Sequence, residues 1–239
     1  ATNRPNILII LGDDLGWTDI QTGTNFGPNV IGGANFGSDY CQTPNIARLA
    51  REGLSFRCCY AQPNCSPTRA ALLSGQYASR SGNGVYAVDN LNRATALPAL
   101  FGPPQNQDVP AGTVTSAEAL RAAGYVTAHF GKYHVGGNEG GTNTLPLNQG
   151  FDYNFGGSSA GAPDSFFASG GVFGVNIGPE LDVWGANYDA AYVNNILWPL
   201  ATNRAANPNN PSMLIGTAKH LGDAMGDAFV FFLTNHLAG

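Results

Sequence analysis

Residues 115–130 have the sequence TSAEALRAAGYVTAHF, which predicts a helix, a turn and a strand in succession. Thr115 and Glu118 form a capping-box pattern at the start of the helix, and Gly124 is placed to end it. Residues 125–130, which follow the helix, predict the next strand. A helix followed directly by a strand is the repeating unit of an α/β fold, so we expect a mostly parallel central sheet flanked by helices.

Two earlier segments fit the same plan. Residues 5–11 (PNILIIL) are nearly all apolar, which predicts a strand buried on both faces. Residues 44–52 predict a short helix with Thr43 as its N-cap and Gly53 at its C-terminal end. Residues 54–60 alternate apolar and polar side chains and predict a further strand.

Composition limits the possible functions. The chain has 239 residues, 43% of them hydrophobic, and we expect a single domain over residues 1–239 with a loop-rich insertion at 138–210. A final helix is expected at 217–236. The net charge is −5 and no run of Lys and Arg occurs, which argues against a nucleic-acid partner. No apolar run approaches the roughly 20 residues of a membrane span.

The first residue is Ala1 and not a methionine, which fits removal of a signal peptide. We therefore expect a periplasmic or secreted protein.

The most informative motif is CSPTR at residues 65–69. Pro67 near the start and Gly75 after the end predict a helix over 67–74, which puts Cys65 at or just before its N-terminus. The helix dipole favours an anion at that position.

Polar residues follow two of the expected strands. Asp13 and Asp14 come directly after the first strand, and Lys132 and His134 follow the strand at 125–130. Ligands of open α/β sheets gather at the carboxyl ends of the strands, which makes these four residues candidates for a common site.

Simpler interpretations exist for each candidate. Cys65 can be an ordinary thiol, the two aspartates a strand-end turn, and Lys132 and His134 polar surface residues. Four aromatic residues could stack against a sugar, although core packing is the favoured interpretation for them: Phe166, Phe167, Trp184 and Trp198.

Taken together, the motifs resemble those of the type I, formylglycine-dependent sulfatases of the alkaline phosphatase superfamily. They occur in the order that this family uses and cover roughly the first 155 residues. The matching segments are Asp13-Asp14, Thr43-Pro44-Asn45-Ile46, Arg48-Leu49-Ala50, Glu52-Gly53, the CSPTR motif, Leu73-Ser74-Gly75, the segment GKYHVG at 131–136, and Gly150-Phe151-Asp152.

The resemblance implies a chemistry for each candidate. A maturation enzyme would oxidise Cys65 to formylglycine, whose hydrate attacks sulfur, and Arg69 would hold this nucleophile. Lys132 would grip the sulfate and His134 would assist proton transfer. Asp13, Asp14 and the group derived from Cys65 would bind a divalent metal, with calcium the first choice. The substrate would be a sulfated small molecule or glycan.

The resemblance also implies that the chain is incomplete at its C-terminus. Members of the family continue into further metal and sulfate ligands, which the rest of the protein or another chain would supply. Two alternatives stay open from the sequence. One is a phosphonate or phosphate ester hydrolase of the same superfamily, and the other is a catalytically inactive sulfatase-like module for binding or assembly.

Overall fold

The structure is a computed structural model that describes residues 4–16, 18–20, 41, 43–56, 59–80, 106, 108–137, 143–177, 179–198 and 211–236. The chain divides into two compact units, Ala1–Tyr60 and Ala61–Gly239. The single domain over 1–239 and the insertion at 138–210 both stay predictions, and parts of the insertion lie outside the described residues.

The first unit contains helix α1, Pro44–Glu52. Thr43 is its N-cap, Pro44 occupies its first turn, and the Gly53 N–H donates to the Leu49 carbonyl at 2.9 Å. This confirms the predicted helix and both of its ends.

The two strands expected in the first unit are wrong. Residues 5–11 form no strand, and their apolar side chains are exposed, to 80% at Ile10. Residues 54–56 and 59–60 are also exposed and irregular, while 57–58 lie outside the described residues. A buried strand needs hydrogen-bonded neighbours and covering helices. The described part of this unit offers one helix and no strand to pair with.

The second unit begins with helix α2, Cys65–Ser74, which Gly75 ends in a left-handed conformation at φ +67°. Helix α3, Ser116–Ala122, has the predicted capping box, because Thr115 accepts from the Glu118 N–H and the Glu118 carboxylate accepts from the Thr115 N–H. Strand β1, Ala128–Phe130, follows. It is shorter than the predicted 125–130, but the helix–turn–strand order is confirmed.

Strand β1 pairs in parallel with β2, Tyr153–Phe155, in the register Ala128–Tyr153, His129–Asn154 and Phe130–Phe155. The sequence around β2, within the loop-rich segment, has no periodicity that would predict a strand. A parallel strand pair with α2 packed on one side and the helix Leu221–His236 on the other confirms the α/β class.

The rest of the second unit consists of short elements and one long helix. There are 3₁₀ turns at Pro146–Asn148, Pro179–Trp184 and Pro211–Leu214, a helical turn α4 at Ala190–Tyr192, and a π-helical turn at Val193–Leu197. Helix α5 covers Leu221–His236. It begins later than the predicted residue 217 because Lys219 and Leu221 instead hydrogen-bond with Ala168 and Phe166.

The sheet is covered on both faces. Side chains alternate along a strand, so Phe130 and His129 point to opposite sides. Phe130 packs on a cluster that includes Leu221, Ala224 and Ala228 of α5. His129 contacts Tyr133 and Phe151, which pack with Ala70 and Leu73 of α2 and with Val109 and Val135. The two clusters form the two sides of an α/β layer structure.

None of the helices in the described ranges combines the length and apolarity required to cross a membrane.

Candidate active site

Cys65 is the first residue of helix α2. The side chain of Asn64 caps the helix by accepting the Cys65 N–H at 2.7 Å, and the Thr68 hydroxyl donates to the Asn64 carbonyl at 2.8 Å. Ser66 and Pro67 are buried, whereas Cys65 is partly exposed and has a free thiol. The residue thus lies where the backbone N–H groups of the helix start attract negative charge, as the sequence predicts.

Arg69 joins this helix to the chain after strand β1. It lies one turn beyond Cys65, and its guanidinium donates a hydrogen bond to the backbone carbonyl of Lys132. On the same helix, Ala70 is completely buried against the cluster that contains Tyr133. A charged hydrogen bond and an apolar contact therefore hold the Cys65 helix against the Lys132 segment.

The chain after β1 places Lys132 and His134 away from the core. Gly131 has a φ of +77°, and Tyr133 and Val135 are buried, whereas Lys132 and His134 are partly exposed. Burial of Tyr133 and Val135 in the core leaves Lys132 and His134 as the partly exposed side chains of this segment.

His134 has an unusual backbone, with a φ of +60°, in a region that residues other than glycine rarely adopt. Its N–H donates to the Ser158 carbonyl at 3.0 Å, which holds the segment in place. The imidazole lies against Gly161, where an added Cβ would come within 2.6 Å of Cε1 of the ring. Such enforced conformations are typical of functional sites.

His129 is a further residue of this region, and no motif in the sequence marks it. Its ring is edge-on to Tyr133 and to Phe151, with centroids 5.1 Å and 5.3 Å away. Burial, and then the positive charge of Arg69, lower the pKa of His129 from 6.5 to about 4. A histidine inside a strand that ends two residues before a candidate lysine was the available signal. With its pKa lowered to about 4, the His129 imidazole is neutral near pH 7, and it lies beside the Lys132 backbone.

The segment that follows His134 is also fixed. The Asp108 carboxylate accepts from the Gly137 N–H at 3.1 Å and from the Thr144 hydroxyl, and the Val109 N–H donates to the Val135 carbonyl at 2.8 Å. Nothing in the sequence pattern predicted this role of Asp108, because its partners are distant along the chain.

Asp13 and Asp14 belong to the first unit, where both are exposed. They lie in a bend directly after the apolar run, and Asp14 has a φ of +53°. The described residues include no group of three or more His, Cys, Asp or Glu side chains able to hold a metal ion. Of the predicted site residues, the structure brings Arg69 into contact with the Lys132 backbone. The metal site of Asp13, Asp14 and Cys65 stays a prediction.

The family model and the similar proteins found by comparison point to the same family. A family model described as Sulfatase matches residues 5–215. A sulfatase of Formosa agariphila is 40% identical, over 98% of this chain and 42% of its own length. Human N-acetylgalactosamine-6-sulfatase is 36% identical over 65% of this chain and 26% of its own length. The chain thus spans less than half the length of these relatives.

The crystal structure of Ps i-CgsB superimposes with a TM-score of 0.51, at 24% identity, over 98% of this chain and 42% of that one. This likeness concerns the fold, and it agrees with the α/β class found here.

Proposed function

Because this chain belongs to the sulfatase family, we propose that it supplies part of the active site of a sulfuric ester hydrolase. The observation that carries the proposal is the hydrogen bond from Arg69 to the carbonyl of Lys132. It joins the helix that begins at Cys65 to the segment of Lys132 and His134. A nucleophile position, two cations and an imidazole can serve nucleophilic attack, charge stabilisation and proton transfer in sulfate ester cleavage.

In this proposal Cys65 is oxidised to formylglycine by a maturation enzyme. The hydrated aldehyde supplies two hydroxyl groups, one to displace the alcohol from sulfur and one whose loss of a proton lets sulfate leave by C–O cleavage. The start of helix α2 favours the negative charge of the substrate, and Asn64 keeps that helix end ordered.

Arg69, Lys132 and His134 would hold the sulfate and move the proton. Lys132 offers a positive charge to the sulfate oxygens, and Arg69 holds the Lys132 backbone while adding charge to the same region. His134, fixed by its hydrogen bond to Ser158, would exchange a proton with the nucleophile or the leaving alcohol.

Asp13 and Asp14 would bind a divalent cation, calcium by preference. Two adjacent exposed carboxylates fit the oxygen ligands that a hard cation takes. The ion would polarise the sulfate oxygens. Since calcium takes six to eight oxygen ligands, we propose that further donors come from polypeptide outside these 239 residues.

The substrate in this proposal is a sulfated small molecule or glycan outside the cytoplasm, in the periplasm or the surrounding medium. Relatives named for a sugar sulfate and for aryl and steryl sulfates support the reaction type and leave the substrate open.

The test is turnover of 4-nitrophenyl sulfate and of bis(4-nitrophenyl) phosphate by the complete protein, made together with the maturation enzyme. We expect sulfate ester hydrolysis that Cys65→Ala abolishes and Lys132→Ala lowers at least tenfold. A preference for the phosphodiester would favour the phosphorus ester alternative and contradict the proposal. Turnover of neither compound, and of no sulfated oligosaccharide, would favour the inactive module.

A further inference from the structure

Two exposed phenylalanines form a surface that the proposed chemistry does not use. Phe166 is 59% and Phe167 is 54% exposed, so the core packing expected for them is wrong. The ring of His220 lies 6.3 Å from that of Phe166, nearly parallel to it, and 5.1 Å from that of Phe167, edge-on. We call these three side chains the aromatic platform.

The backbone under the aromatic platform is fixed. The Leu221 N–H donates to the Phe166 carbonyl at 2.8 Å, and the Ala168 N–H donates to the Lys219 carbonyl at 3.0 Å. Ser165 adds a side-chain hydrogen bond to the Phe167 carbonyl at 2.7 Å. The exposed rings therefore belong to two hydrogen-bonded segments of the chain, 166–168 and 219–221, and not to a free loop.

A buried charged network lies next to these hydrogen-bonded segments and includes Lys219, one of their residues. Lys219 is 7% exposed, and its ammonium group lies 2.8 Å from the Asp227 carboxylate and 4.1 Å above the ring of Tyr192. The Tyr192 hydroxyl donates to the same carboxylate at 2.9 Å. Burying a lysine is costly unless it is paired, and here the pairing fixes the backbone next to His220.

His220 has a defined orientation. Its backbone N–H donates to the Tyr188 hydroxyl at 2.9 Å, and its Nδ1 accepts the Gly222 N–H at 3.0 Å. In the neutral imidazole, an accepting Nδ1 puts the proton on Nε2. The aromatic platform thus combines two exposed apolar rings with one oriented N–H donor.

This combination matches the two sides of a pyranose. The axial C–H groups of a sugar lie against an aromatic ring, and its hydroxyls require hydrogen-bond partners at the edge of that ring. Apolar and aromatic groups with a few placed polar atoms are characteristic of small-molecule sites. Because hydrogen bonds hold the backbone under the rings and the His220 side chain, less conformational entropy is lost when a sugar binds.

The aromatic platform lies within reach of the candidate active site. The His134 imidazole contacts Gly161, and Phe166 is five residues further along the chain. Five residues span at most about 18 Å when fully extended. A short chain of sugar residues can bridge that distance.

We propose that Phe166, Phe167 and His220 bind a sugar ring of the substrate, so that the substrate is a sulfated oligosaccharide or polysaccharide and not an isolated aryl or alkyl sulfate. This inference rests on the proposed function, because it takes the sulfate ester to lie at residue 65.

The experiment compares the complete, matured protein with its Phe166→Ala, Phe167→Ala double variant. The substrates are 4-nitrophenyl sulfate and sulfated hexasaccharides prepared from chondroitin sulfate, heparin and ι-carrageenan. For the hexasaccharide that the unaltered protein turns over best, we expect kcat/KM to fall about tenfold or more, which corresponds to about 1.4 kcal/mol. For 4-nitrophenyl sulfate it should change less than about twofold, since that substrate does not reach the aromatic platform.

The matched control is Phe231→Ala, which removes an equally exposed phenylalanine from α5, 52% exposed and outside the aromatic platform. It should leave both activities unchanged. An equal loss on both substrates, unchanged hexasaccharide turnover in the double variant, or hydrolysis of 4-nitrophenyl sulfate alone would each overturn the glycan proposal. A double variant that changes subunit composition would also overturn it, in favour of a protein contact. If the unaltered protein hydrolyses no sulfate ester, the proposed function fails instead.

Discussion

Gly161 shows how one small residue can set the position of a candidate proton-transfer group. The His134 imidazole occupies the space in which a side chain at residue 161 would lie, at 2.6 Å from the added Cβ. His134 has a φ of +60°, and its N–H donates to the Ser158 carbonyl beside this contact. The imidazole is therefore placed by a neighbour with no functional group of its own.

We predict that Gly161→Ala moves the His134 ring and lowers kcat/KM for 4-nitrophenyl sulfate at least tenfold, because proton transfer depends on heavy-atom distances within a few tenths of an ångström. Gly112→Ala is the control, since nothing lies within 4 Å of a Cβ there. Thermal unfolding of both variants separates displacement from misfolding. Full activity of a folded Gly161→Ala protein would show that His134 is not positioned by this contact.

His129 makes a second prediction at this scale. Its pKa is about 4 in the folded protein against 6.5 in the unfolded chain. Between these values the unfolded chain binds the proton and the folded protein does not. The contribution of His129 to the free energy of unfolding is therefore fully present above pH 6.5. It falls by roughly 2 to 3 kcal/mol as the pH falls towards 4.

Urea unfolding at pH 7, 6, 5 and 4 measures this loss, with His129→Gln as the comparison because glutamine does not titrate. We expect the difference in unfolding free energy between the two proteins to shrink as the pH falls. A constant difference across this range would mean that His129 takes up its proton equally in both states.

At the scale of elements, the start of helix α3 connects the chain before the helix to the chain after β1. The Thr115 hydroxyl accepts the Glu118 N–H at 3.1 Å and donates to the Gln149 carbonyl at 2.7 Å, and Thr115 is 1% exposed. The capping box was predictable from two letters of sequence. The bond to residue 149 was not, because it depends on how distant segments fold together.

Thr115→Ala should therefore cost more than an ordinary helix cap, since it also leaves the Gln149 carbonyl without its donor. We expect a loss of about 2 to 3 kcal/mol in unfolding free energy. Thr115→Ser keeps the hydroxyl and should cost less than about 1 kcal/mol. Denaturant unfolding of both variants checks this. Similar losses in the two would assign the effect to packing of the methyl group and not to the hydroxyl.

The contrast between the elements shows what local sequence can predict. Helices α1, α2 and α3 carry their own signals in Pro44, Pro67, Thr115 and the glycines that follow, so their ends were predicted to within about two residues. Strands depend on partners elsewhere in the chain. For that reason residues 5–11 were wrongly expected to be buried, and β2 was missed inside a segment without periodicity.

At the scale of the whole molecule, the motifs predicted the family and the fold class. The contacts between the site residues depend on tertiary packing, which the sequence alone does not predict. The positions of Cys65, Arg69, Lys132 and His134 were named from the sequence. Their physical connection came from the structure: the guanidinium on the Lys132 carbonyl, the glycine under His134 and the neutral His129. The roles of these residues, and the metal site of the two aspartates, stay proposals.

The most direct test of the central claim is the mass of the tryptic peptide 58–69 from protein made in its native host, with fragmentation to locate any change. Formylglycine replaces the sulfur and two hydrogens of the Cys65 side chain by one oxygen. We predict this lighter residue at position 65, with Cys58 and Cys59 of the same peptide unaltered. An intact thiol at residue 65 in that protein would contradict the account.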